Sequence, residues 1–144
     1  MAREVQIVID CADPARLTRF WSSALQYELQ PPPEGFDSWQ AALASWGVPE
    51  SEWNKASAVV DPSGAGPRVF FQQVPEPKQS KNRVHLDIRV GGGPETPAPE
   101  RRDRVDDEVA RLRSEGGTVI RVVEERGERW VVMADPEANE FCVT

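Results

Sequence analysis

The chain repeats its own opening pattern, and this repetition restricts the fold more than any other feature of the sequence. Val5, Ile7 and Ile9 alternate with Gln6, Val8 and Asp10, the period of a half-buried strand. Val84, Leu86 and Ile88 alternate with His85, Asp87 and Arg89 in the same way, and aligning the two runs sets Gln6 against His85. A helix signature follows each. After the first run, Asp13 suits an N-cap, Pro14 suits the first helical position, and Leu17, Phe20, Trp21, Ala24 and Leu25 make one apolar stripe. After the second, Val105, Val109 and Leu112 share a face and Gly116-Gly117 supplies the stop. Such self-similarity indicates two copies of one supersecondary unit.

The halves also close alike. Asp61-Pro62 and Asp135-Pro136 mark turns ahead of the strand-like runs Val69 to Val74 and Glu140 to Thr144, and aligning Phe71 with Phe141 sets Gln72 against Cys142. Thr118 to Val123 and Arg129 to Ala134 read as two more strands joined at Arg126-Gly127-Glu128, which makes the second half βαβββ. The first half departs from this plan between Phe36 and Ala58. There Trp39, Ala42, Leu43 and Trp46 keep a helical period, Gly47 can end it, and Pro49 opens another helical turn. The expected fold is α+β, with two tandem βαβββ modules, about 4–75 and 83–144, in one domain. They would form a cupped mixed sheet around a cleft, with a helical insertion in the first module. Polar connections are expected at Pro75 to Asn82 and Gly91 to Arg102.

A chain of 144 residues can bury a core without disulfides or a structural metal, and Cys11 and Cys142 read as free thiols. The formal charge is -7 and no cluster of basic residues could track a phosphate backbone, so nucleic acid is not an expected partner. No apolar run is long enough to cross a bilayer and the N-terminus has no secretory pattern, so no membrane partner and a cytoplasmic location are expected.

The run Gln72-Gln73-Val74-Pro75-Glu76-Pro77-Lys78, followed by Lys81 to Asp87, resembles the glyoxalase-like and bleomycin-resistance-like branch of the vicinal oxygen chelate superfamily. Asp13 and Phe20-Trp21 in the first helix, and Asp135-Pro136-Glu137-Ala138-Asn139-Glu140-Phe141 near the end, extend the resemblance over nearly the whole chain. It implies modules that curl around a shared cleft and often pair as homodimers. In metal-dependent members it implies four ligands, mostly His and Glu, on the cleft-facing side of the first and last strand of each module. The matching positions here are Gln6, Gln72, His85 and Cys142. Gln26 and Ala138 stand where relatives often carry glycine.

One imidazole, one thiol and two neutral amides form a weak set for a divalent metal, so no cofactor is expected; a metal, if held, would use His85, Cys142, Gln6 and Gln72. Without a metal, His85, the only histidine, is the candidate general acid or base, with Asp87 on the same strand face. Gln6, Gln72 and Cys142 would contact the ligand. Trp39 and Trp46 share a helix face, and Phe70 shares a strand face with Gln72, so they offer stacking surface to a flat ligand; core packing is the simpler alternative.

Three functions follow from these residues. The leading one is a metal-free, glyoxalase-like protein that binds a small aromatic or cationic organic ligand in the cleft. The second is a cofactor-free lyase or isomerase using His85. The third is a metal-dependent glyoxalase-type lyase. A homodimer is compatible with each.

Overall fold

A computed structural model describes residues 1–144. The chain divides into two compact units, Met1–Ser22 with Gln26–Pro77 and Ser23–Leu25 with Lys78–Thr144. The first carries strand β1 (Ile7–Cys11), β2 (Glu28–Leu29), helix α2 (Trp39–Ser45), a 3-10 helix (Glu50–Lys55), β3 (Ala56–Val60) and β4 (Val69–Gln73). Helix α1 (Pro14–Leu25) follows β1. The second carries β5 (Asp87–Ile88), α3 (Ala98–Ser114), β6 (Thr118–Glu125), β7 (Glu128–Ala134) and β8 (Glu140–Val143).

Both units build a four-stranded mixed sheet on one plan, ordered β1-β4-β3-β2 and β5-β8-β7-β6, with the first strand parallel to the last and the other pairs antiparallel. This is the expected βαβββ order in each module. In the first, α2 and the 3-10 helix interrupt the chain between β2 and β3 and replace no strand.

Alternation along the strands separates two faces. Val69 and Phe71 are buried while Gln72 is exposed, and Val131, Met133, Phe141 and Val143 form the inner face of the second sheet. Each such side chain contributes about 1.5–3 kcal/mol by leaving water. Helix α3 covers this inner face, burying Val105 and Leu112 while lying against β6, β7 and β8.

Local chemistry fixes the boundaries. Asp13 Oδ1 accepts from the Arg16 backbone N–H (3.1 Å) at the start of α1 and from Asn54 Nδ2 (2.8 Å), and Asn54 Oδ1 accepts from the Ala15 N–H (2.8 Å). The cap expected at Asp13 is therefore shared with the 3-10 helix. Arg126 and Gly127 join β6 to β7 with φ of 53° and 80°, the two left-handed residues of a hairpin turn whose twist matches the strands.

Three local expectations shift. Val5 and Val84 are exposed and outside the ladders. Pairing with β4 begins where Ile7 N–H donates to the Arg68 carbonyl (3.0 Å), just after Pro67, and β8 begins only at Glu140, leaving Val84 opposite the preceding turn. Helix α3 starts at Ala98, within the expected connection, because Pro99 falls in the first turn, where a missing N–H costs no helical hydrogen bond. No helix is long and apolar enough to cross a membrane.

Candidate functional site

In the second unit the parallel pairing of β5 and β8 sets Asp87 opposite Cys142. Glu140 ties down the approach to this pair: its Oε2 accepts from the Asn82 backbone N–H (2.9 Å) and lies 3.3 Å from Lys78 Nζ. The Asn82 N–H, aided by Lys78, holds the Glu140 carboxyl below its ordinary range. Cys142 N–H donates to the Leu86 carbonyl (2.9 Å), so His85 and Asp87 flank a residue pinned to β8.

His85 Nε2 stands 3.5 Å from Asp87 Oδ1, and both side chains are about half exposed. One ligand-type atom from each of His85, Asp87 and Cys142 lies within 4.8 Å of the others. Burial pushes the Cys142 thiol up, and the charge and hydrogen bond of Asp87 push it further, so the sulfur is a thiol at neutral pH. An exposed imidazole beside a carboxylate can take up or release a proton to a bound molecule.

In the first unit, Gln6, Phe70 and the helical insertion meet around a residue that the sequence reading did not single out. Arg68 donates through Nη1 to Gln6 Oε1 (2.5 Å) and through Nε to Gln30 Oε1 (2.7 Å), and its Cζ lies 5.0 Å from the centre of the Phe70 ring. The Gln30 carbonyl accepts from the Trp39 indole N–H (2.7 Å). Trp46 makes edge contacts with Trp39 (6.5 Å between ring centres) and Phe36 (5.8 Å) and keeps 54% of its surface exposed. Arg68 could have been found by extending the Phe70–Gln72 alternation back one step; Gln30 had no signal, being brought in by the pairing of β2 with β3.

Gln72 is exposed on the same strand face as Phe70, and its ladder partner is Asp10. Asp10 lies further along from Gln6 than Asp87 does from His85. The Gln6–His85 and Gln72–Cys142 alignments therefore do not share one ladder register, and in each sheet the residue facing the last-strand position is an aspartate.

The model for the glyoxalase-like domain matches residues 6–144. The chain belongs to this family. No curated protein matches the sequence. Among solved structures, this glyoxalase-like chain is similar to the genomically encoded fosfomycin resistance protein FosX from Listeria monocytogenes, at 11% identity over 99% of this chain and 92% of that one, with a TM-score of 0.64. It is also similar to a glyoxalase/bleomycin resistance protein/dioxygenase family enzyme from Burkholderia phytofirmans PsJN, at 12% identity over 96% and 94% of the two chains and a TM-score of 0.61. A mutant of the Listeria protein complexed with Mn(II) and 1S,2S-dihydroxypropylphosphonic acid matches at 13% identity over 99% and 89%, with a TM-score of 0.63. At these identities the likeness is one of fold.

The two units differ in what they offer a divalent metal. Gln6 Oε1 is committed to a guanidinium, so a metal there would lie against a fixed positive charge. His85, Asp87 and Cys142 alone offer a nitrogen, an oxygen and a sulfur close enough for one ion of the zinc type, provided the raised thiol gives up its proton.

Proposed function

We propose that this glyoxalase-like domain is a small-molecule-binding protein whose first module offers an aromatic face to a small aromatic ligand. The observation that carries the reading is Trp46, which stays half exposed while packed edge-on against both Phe36 and Trp39. A buried-core role would hide such a ring. An exposed aromatic group with polar groups nearby is a common signature of a binding surface, and here the Trp39 partner of Trp46 donates to the Gln30 backbone carbonyl while the Gln30 side chain accepts from Arg68. Stacking on it needs no metal.

The test is a tryptophan fluorescence titration with a panel of small aromatic compounds. Saturable quenching without chemical change of the compound supports binding. The absence of saturable quenching across the panel would remove the reading.

A second reading rests on a separate observation, the 3.5 Å approach of His85 to Asp87 beside the Cys142 thiol. In a cofactor-free lyase or isomerase, His85 would move the proton and Asp87 would orient the imidazole. His85→Ala would then abolish turnover of a bound ligand while leaving the melting temperature unchanged, and unaltered turnover would sink this reading.

A further inference from the structure

The guanidinium groups of Arg104, Arg111 and Arg129 each lie within 4 Å of a carboxylate. Arg68 differs: it is held by two neutral amide oxygens, Gln6 Oε1 and Gln30 Oε1, and by the face of Phe70. Neutral acceptors fix a guanidinium without cancelling its charge. Three further properties follow.

First, the two amide bonds and the Phe70 ring hold the side chain in one orientation, which reduces the ordering an incoming anion has to impose. Second, Nη2 carries no hydrogen bond, and the group has more N–H donors than its two amide bonds use. Third, the arginine lies on a sheet face with Phe70 beneath it, and Ala58, the ladder partner of Phe70, adds no bulk beside it. The Gln30 residue that accepts from Arg68 also accepts from Trp39, which puts the fixed charge one residue away from the Trp39, Trp46 and Phe36 group.

From this juxtaposition we infer that the ligand of the first module is an aromatic carboxylate, with Arg68 as the anchor of its anionic group and the exposed Trp46, backed by the half-buried Trp39, as the platform for its ring. This rests on the binding reading above and adds the charge of the ligand, selecting anionic over cationic aromatics. A cationic aromatic would bring like charge to a guanidinium held by Gln6, Gln30 and Phe70. A carboxylate meets unused, coplanar N–H donors and makes charge-assisted bonds. Gln6 and Gln30 act as positioning residues, each holding one edge of the fork.

The experiment compares naphthoate, naphthamide and naphthylmethylammonium, which share a ring system and differ in charge, by isothermal titration calorimetry on the whole chain. Naphthoate should bind the tightest, by about ten- to a hundredfold over the neutral amide. Arg68→Gln should bring naphthoate down to the affinity of naphthamide while leaving naphthamide itself unchanged. Arg68→Lys should keep part of the preference, because it retains the charge and loses the fork. Equal affinity for the three probes, preference for the ammonium, or a preference for naphthoate that survives Arg68→Gln overturns the inference and leaves the binding reading standing. Failure of all three to bind overturns both. If Arg68→Gln does not fold, the three-way comparison on the unaltered chain still decides.

Discussion

Asp87 is the ladder partner of Cys142, and its carboxylate lies within 4.8 Å of the Cys142 sulfur. Burial is the largest reason the thiol's pKa is raised, and the charge and hydrogen bond of Asp87 add to it. Asp87→Asn should therefore lower the thiol pKa part of the way back, and Cys142 should react faster with iodoacetamide near pH 8. Peptide mass spectrometry separates it from Cys11, which is buried and bonded to the Gln72 carbonyl. An unchanged Cys142 rate would mean that burial alone sets the thiol.

The same geometry gives zinc uptake a definite pH dependence. Binding at His85, Asp87 and Cys142 requires the thiolate, whose formation is delayed to higher pH. Retained zinc should be small at neutral pH, rise as the pH is raised and fall in His85→Ala. Elemental analysis after desalting at a series of pH values reads this directly; stoichiometric zinc at pH 6 would contradict it.

Asp13 couples the start of α1 to the 3-10 helix. The Asn54 side chain, then the Arg16 N–H, lowers its pKa from the ordinary 3.8. The folded carboxylate binds its proton less tightly than the unfolded one, so its contribution is complete above 3.8 and is lost as the pH falls below that value. Asp13→Ala should cost about 1 kcal/mol at neutral pH, and the loss relative to the unaltered chain should shrink on acidification. A urea melt at pH 7 and at pH 3 measures both.

Gln26 and Ala138 occupy left-handed backbone, with φ of 55° and 67°. The Ala138 turn is built by Asp135, whose Oδ1 accepts from the Glu137 N–H (2.9 Å) and the Asn139 N–H (3.0 Å). Glycine meets this conformation without a Cβ clash, so Gln26→Gly and Ala138→Gly should each raise stability by up to about 1 kcal/mol. A lower melting temperature in both would show that the turns gain more from their side chains than they lose in strain.

Those two positions show how far the sequence could be read. Positive φ was foreseeable at Gln26 and Ala138 because the resemblance puts glycine there. The Asp13 cap, the Arg126-Gly127 hairpin and the strand and helix elements of each module were legible on a different ground: each is encoded by a pattern of neighbouring residues. The outer faces of the sheets were less so. Arg68 reaches Gln6 and Gln30 only because β1 pairs with β4 and β2 with β3, and no local pattern states the register of those ladders. The exposure of Val5 and Val84 has the same origin, since their alternation is strand-like but their partner strands begin too late to cover them.

The chain has five tryptophans, and their indole N–H signals report on separate places. Trp46 is exposed, Trp39 is bonded to Gln30, Trp53 to the Val48 carbonyl, and Trp21 is buried. Nitrogen-labelled tryptophan spectra recorded during titration with an aromatic ligand, assigned by Trp39→Phe and Trp46→Phe, show whether the ring of the ligand sits on the Trp46 face. Saturable shifts are expected at Trp46 and Trp39 while Trp21 stays in place. Binding that leaves both indoles unmoved, with the response confined to the His85 imidazole, would contradict this and move the site to the second module.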